Sequence, residues 1–85
     1  MFSNLIGYRY FKSVNQETKE EVEKCTCCFV DSEHQPDNGS LYVSLTFKID
    51  KLPCELEKEH IGKKCLVDVG YVNGTKYGKG LAFLE

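Results

Sequence analysis

Residues 41–49 alternate between apolar and polar side chains without a break, and this run limits the fold more than any other part of the chain. Its apolar members are Leu41, Val43, Leu45, Phe47 and Ile49, and its polar face carries Tyr42, Ser44, Thr46 and Lys48. A period of two residues places the two sets on opposite faces of a β-strand, whereas a helix needs a period near 3.6. The chain therefore contains a strand that buries one face and leaves the other face available for other contacts.

Four further strands are predicted around this run, and together the five predicted strands are Leu5–Val14, Val22–Asp31, Leu41–Ile49, Lys64–Val72 and Thr75–Leu84. Aromatic and β-branched residues favour these segments as strands. Asn73-Gly74 joins the last two strands as a hairpin, because both residues tolerate positive φ. Gly78 and Gly80 predict a bulge or a bend in the last strand.

One short helix is predicted between strands 3 and 4. Cys54–His60 is rich in Glu, Leu and Lys, which are good helix formers, and Gly62 ends the segment. The fold class is therefore mainly β, and the order of elements is that of a five-stranded OB-type barrel with one short helix between strands 3 and 4. An SH3-like barrel or a small α+β sandwich is the alternative, because one sequence does not give the strand order. A length of 85 residues predicts a single OB-like domain over residues 1–85.

Composition excludes several classes of protein. Charged residues make up 28% and hydrophobic residues 41% of the chain, which is typical of a globular domain. No apolar run approaches the roughly 18 residues that a membrane span needs, and the N-terminus shows no basic region typical of an export signal. We therefore expect a cytoplasmic protein without membrane contact. The net charge of −2 argues against a chain that is basic throughout, but it allows a locally basic face.

The five cysteines are predicted to be reduced thiols, most of them in the core. Their odd number and the adjacent Cys27 and Cys28 argue against a disulfide framework. Cys25 and Cys27 share a strand face with Phe29, and free cysteine behaves as a small hydrophobic residue. The alternative is a zinc site, with ligands drawn from Cys25, Cys27 or Cys28, Cys54, Cys65, His34 and His60. The usual pair of C-x-x-C knuckles is absent, so we expect neither a metal nor a cofactor.

The sequence lacks the reactive arrangements that enzymes use. His34 and His60 do not lie near a cysteine or serine in a known nucleophile arrangement. The chain also contains no P-loop, no dinucleotide fingerprint and no G-x-S-x-G elbow. We therefore predict no catalytic residues and a binding protein rather than an enzyme.

Aromatic residues interleaved with cations point to single-stranded nucleic acid. In this pattern rings stack on bases while lysine and arginine hold the phosphates. The candidate nucleic-acid-binding residues are Arg9, Tyr10, Lys12, Tyr42, Lys48, Lys76, Tyr77 and Lys79. Each ring could instead belong to the core, and Phe11, which lies on the strand face opposite Tyr8 and Tyr10, is expected there. DNA and RNA are both possible ligands, and DNA is the prediction.

Two stretches of the chain carry a family resemblance. Cys28-Phe29-Val30-Asp31 leads through a loop into Leu41–Asp50, and the chain ends with an aromatic strand, Lys76-Tyr77-Gly78 and an apolar strand. In these stretches it resembles the gene V class of single-stranded DNA-binding proteins of filamentous phages, and it is also similar to small proteins of conjugative elements. The resemblance implies an OB-fold homodimer that coats single strands cooperatively during DNA replication of a phage or mobile element. It also implies a base-stacking role for Tyr77.

The segment after strand 1 favours a second hypothesis from another class. Its acidic residues are Glu17, Glu20, Glu21 and Glu23. Together with the small size and the acidic balance of the chain, they favour a small protein-interaction module or inhibitor encoded by a mobile element. The partner would then be a protein rather than a nucleic acid.

Overall fold

The computed structural model describes residues 1–84 and consists of one antiparallel sheet. Its strands are β1 (Phe2–Val14), β2 (Glu21–Asp31), β3 (Tyr42–Lys48), β4 (Lys64–Val72) and β5 (Thr75–Phe83). Two 3₁₀ turns, Ile49–Lys51 and Lys58–His60, lie between β3 and β4. The strand order is β3-β2-β1-β4-β5, with β3 and β5 at the edges. All five predicted strands are confirmed, although their ends differ by a few residues.

The two edge strands approach each other without a hydrogen-bonded ladder between them in the described chain. The ring of Phe47 in β3 packs against Gly78 of β5, and a Cβ at Gly78 would overlap the Cδ1, Cε1 and Cζ atoms of that ring. We call this contact of Phe47 with Gly78 the β3–β5 seam. The mainly β class is therefore confirmed, whereas closure into an OB-type barrel is not.

The prediction of a helix at Cys54–His60 is wrong. Only Lys58–His60 forms a single 3₁₀ turn, and no helix precedes it in this segment. Leu56 is buried in the core, and its backbone N–H donates a hydrogen bond of 2.7 Å to the hydroxyl of Tyr10. A segment of about two turns is too short to be stable as a helix alone, so the burial of Leu56 outweighs helix propensity.

The core lies on one face of the sheet and under the segment that carries Leu56. Its buried hydrophobic members are Leu5, Cys25, Cys27, Phe29, Leu45, Phe47, Leu56, Cys65, Val67 and Leu81. Leu45 and Phe47 therefore occupy the face that the alternation predicts. Leu41 precedes β3 and is exposed, because the strand begins one residue later than predicted.

The expectation of core thiols is confirmed for three of the five cysteines. Cys25, Cys27 and Cys65 are buried, whereas Cys28 is half-buried and Cys54 is exposed. Burial raises the pKa of Cys65 to about 11 and raises the pKa of Cys27 further. These thiols are therefore neutral at pH 7 and pack as apolar groups.

A bulge in β1 determines which of its side chains face outward. The register with β2 shifts between Leu5 and Gly7, so one extra residue is inserted there. Beyond the bulge the inward and outward alternation is reversed relative to Leu5. The aromatic side chains on the core side of this half of β1 are Tyr8 and Tyr10. The side chains on its outer face include Arg9 and Phe11.

The predicted irregularity in β5 is confirmed as a second bulge. Asp68 pairs with Gly80 and Val69 pairs with Gly78, so Lys79 is the extra residue. The bulge lies beside the seam and adds local twist to the β4–β5 hairpin. In residues 1–84 no helix is both long enough and apolar enough to cross a membrane.

Candidate nucleic-acid interface

A groove of about 790 Å³ lies along the outer side of the β3–β5 seam. One wall comes from the outer faces of β1 and β2, the end of β3 and the turn that follows it. The other wall is the β4–β5 hairpin, and the buried Phe47 and Gly78 form the floor. We call it the lysine groove, because its lining includes Lys24, Lys48, Lys51, Lys76 and Lys79.

The lysines of this groove have no negative partners in the described chain. Lys24 and Lys48 lie directly opposite each other in the β2–β3 ladder, an arrangement of like charges that destabilises a sheet. No carboxylate lines the groove, and none of its five lysines forms an ion pair within residues 1–84. The groove is thus a locally positive surface on a chain of net charge −2. A bound polyanion would relieve the repulsion among these lysines.

Tyr77 is held in the groove by a glycine on the neighbouring strand. The ladder places Tyr77 opposite Gly70. A Cβ on Gly70 would meet the Cζ atom of Tyr77 at 2.5 Å, so the ring rests against the backbone of β4. The side chain is still 36% exposed, and it lines the groove. This arrangement leaves part of an ordered aromatic ring open to a ligand.

Phe11 is the aromatic residue of the groove that the sequence analysis missed. It was expected in the core, but it is half-buried on the outer face, opposite Lys24, and lines the groove. The bulge is the physical reason, because it reverses the alternation of β1 after Leu5. Gly7 is the signal that could have revealed it, since glycine within a strand often marks a bulge.

The structure brings some of the predicted site residues together and separates others. Those that line the lysine groove are Lys48, Lys76, Tyr77 and Lys79. Arg9 lies beside it, on the same outer face of β1 as Phe11. Tyr42 is 57% exposed but stands at the far end of β3, about 20 Å from Lys48 at the usual rise of a strand.

Tyr10 and Lys12 line a second groove, of about 710 Å³, which also contains Glu23 and Glu55 and which shares Phe11 with the lysine groove. The Tyr10 hydroxyl already accepts a backbone hydrogen bond, and burial raises the pKa of this phenol. Lys12 lies 4.0 Å from Glu21 in an exposed ion pair. Because carboxylates share this groove, it is a poor site for phosphates. Tyr10 and Lys12 therefore lie apart from the predicted site residues that line the lysine groove, and their contact with nucleic acid stays a prediction.

The zinc alternative has no ligand set in the described part of the chain. Cys54 Sγ lies 3.7 Å from His60 Nε2, and the Sγ atoms of Cys25 and Cys27 lie 3.8 Å apart. Among residues 1–84, no group of three or more histidine, cysteine or acidic side chains is placed to hold a metal ion. Each of these contacts is therefore a pair of side chains without further ligands.

Comparison of the chain with protein-family models, with curated proteins and with solved structures found no match. The resemblance to the gene V class therefore stands on the short stretches of sequence that carry it. The features of the molecule that bear on its function are the geometry and the charge of the lysine groove.

Proposed function

We propose that the protein binds single-stranded nucleic acid, and DNA in particular, in the lysine groove. In this proposal the groove lysines contact phosphates and Tyr77 stacks on a base. The observation that carries the proposal is the groove lining itself, which combines five lysines, exposed aromatic surface and no carboxylate. Proteins that bind single-stranded nucleic acid without sequence preference use this combination of cationic and aromatic side chains.

The distribution of charge supports the proposal despite the acidic balance of the chain. Glu23 and Glu55 line the second groove, with Tyr10, and not the lysine groove. The acidic stretch Glu17–Glu21 lies around the β1–β2 connection, where Glu21 pairs with Lys12. A strand of phosphates following the lysine groove would therefore meet cations and avoid the acidic part of the surface.

The arrangement of strands also supports an OB-type interpretation. OB-folds bind oligonucleotides on the face of strands 2 and 3 and through the loops between strands 1 and 2 and between strands 4 and 5. The lysine groove uses Lys24 of β2, Lys48 of β3 and the β4–β5 hairpin. We therefore interpret the sheet as an OB-type barrel that is open at the β3–β5 seam.

Titration of a fluorescein-labelled oligo(dT) by anisotropy, at several salt concentrations, tests this function. Each phosphate contact on a single strand contributes about −0.7 to the slope of log K against log salt. If all five groove lysines bind phosphates, we expect a slope of about −3.5. A Lys48→Gln variant should reduce the slope by about 0.7, whereas the exposed Lys64 on β4, outside the groove, provides a control variant, Lys64→Gln, that should leave it unchanged.

Two results would contradict the proposal. One is the absence of binding at micromolar protein in low salt, which would favour the protein-interaction hypothesis instead. The other is equal affinity for oligo(dT) and for a duplex of the same length, because paired bases are not available for stacking on Tyr77.

A further inference from the structure

We infer that the lysine groove reads unpaired bases with two rings, Phe11 and Tyr77, and therefore selects a strand with at least two unpaired bases over a bare phosphate chain. This inference rests on the proposed function and specifies its ligand. Phe11 is the new element, because the sequence predicted it to be a core residue. The two rings belong to opposite walls of the groove, one on β1 and one on β5.

Phe11 is neither a member of the hydrophobic core nor one of the partly buried hydrophobic residues that pack against it. It stands on the outer face of the sheet, half-buried, directly across the ladder from Lys24. Within residues 1–84 the ring–ring contacts are Tyr8 with Tyr10, Phe29 with Phe47, and Phe83 with His60. Neither Phe11 nor Tyr77 takes part in them, so the exposed part of each ring has no aromatic partner within residues 1–84 and is open to a base.

Contact with Gly70 orients the ring of Tyr77 before a base binds. Because the ring rests on the β4 backbone, one side of it is covered and its remaining exposed surface belongs to the groove. A side chain that is ordered before binding loses less conformational entropy when a base stacks on it. Gly70 is thus a positioning residue that acts through Tyr77.

Each ring has its own lysines, which makes two similar subsites. Phe11 lies opposite Lys24, and Lys24 in turn lies opposite Lys48. Tyr77 follows Lys76 directly and lies two residues from Lys79, and all three line the groove. A base on each ring, with its phosphate on the adjacent lysines, accounts for two unpaired nucleotides. A phosphate chain without bases would use the lysines and leave both rings exposed.

Binding of two labelled ligands of equal length, oligo(dT) and an abasic oligonucleotide, separates the roles of rings and lysines. The test variants are Phe11→Leu and Tyr77→Leu, which keep an apolar side chain at each position. Each variant should bind oligo(dT) about five- to a hundredfold more weakly than the wild type, as expected for the loss of one base stack. Each should bind the abasic ligand with unchanged affinity.

Tyr42→Leu is the matched control, because Tyr42 is an exposed ring outside the groove. It should leave both affinities unchanged. A Gly70→Ala variant should weaken oligo(dT) binding in the wild-type background but not in the Tyr77→Leu background, since Gly70 acts only through that ring. Urea unfolding of each variant identifies any loss of affinity that comes from loss of folding.

The outcomes distinguish this inference from the function on which it rests. If neither ligand binds the wild type, the proposed function fails. If the wild type binds both ligands equally, or if the ring variants weaken both to the same extent, the groove follows phosphates only and the two-ring inference is overturned. If Tyr77→Leu acts on oligo(dT) alone while Phe11→Leu has no effect, Phe11 is not a stacking residue and the inference is again wrong.

Discussion

Replacing Gly78 with alanine should lower the free energy of unfolding by about 1–3 kcal/mol, which is the usual range for inserting a methyl group into a well-packed core. The added Cβ would overlap three ring atoms of Phe47, which is fully buried. Phe47 also packs edge-to-face on Phe29, so a displacement of its ring by the new methyl group would disturb the core as well as the seam. Urea titration followed by circular dichroism measures the change.

Gly80→Ala is the matched control for this substitution. The nearest atom to a Cβ at Gly80 is Asp68 Oδ2 at 3.8 Å, an ordinary contact. Folding alanine into a strand costs less backbone conformational entropy than folding glycine into it. Gly80→Ala should therefore be neutral or stabilising by up to about 1 kcal/mol. If Gly78→Ala were as stable as Gly80→Ala, β3 and β5 would not meet at a seam and the floor of the lysine groove would be absent.

Reversing one charge on each wall of the groove should have the largest effect on binding. The double variant Lys48→Glu with Lys76→Glu should bind oligo(dT) at least about a hundredfold more weakly at low salt. Each substitution removes a charge-assisted contact of about 1.5–3 kcal/mol, and it adds repulsion of the phosphates. Both lysines are exposed and unpaired within residues 1–84, so the fold should tolerate the change.

A second double variant controls for the change in net charge. Lys58→Glu with Lys64→Glu shifts the charge of the chain by the same amount, but both lysines lie outside the groove. We expect its affinity for oligo(dT) to change by less than about threefold, since exposed charges beyond a Debye length are screened. Equal losses in the two double variants would mean that net charge, and not the groove, governs binding.

The sequence was sufficient for the strands but not for the segment between β3 and β4. The unbroken alternation of residues 41–49 and the Asn73-Gly74 turn are local signals, and the structure contains the strand and the hairpin that they predict. Cys54–His60 has the composition of a helix, yet the burial of Leu56 keeps the chain extended before a single 3₁₀ turn. That burial depends on contacts with distant strands, which local propensity does not contain.

The candidate site, too, could be predicted from the sequence only in part. Lys76, Tyr77 and Lys79 are neighbours in the sequence, so their cluster could be found by reading along the chain. Lys24 and Phe11 join them only because of the strand order and the bulge in β1. A bulge of one residue exchanges the two faces of a strand, and a period-two pattern cannot show this in advance.

Nuclear magnetic resonance can map where oligo(dT) binds on the protein, residue by residue. Amide shifts of ¹⁵N-labelled protein are followed while oligo(dT) is added at low salt. If oligo(dT) binds in the lysine groove, the largest changes should lie at Phe11, at Lys24, in residues 46–51 and in residues 75–79, with little change near Tyr42 or in residues 15–21. Shifts centred on the second groove, around Tyr10 and Glu55, or no shifts at all, would contradict binding in the lysine groove.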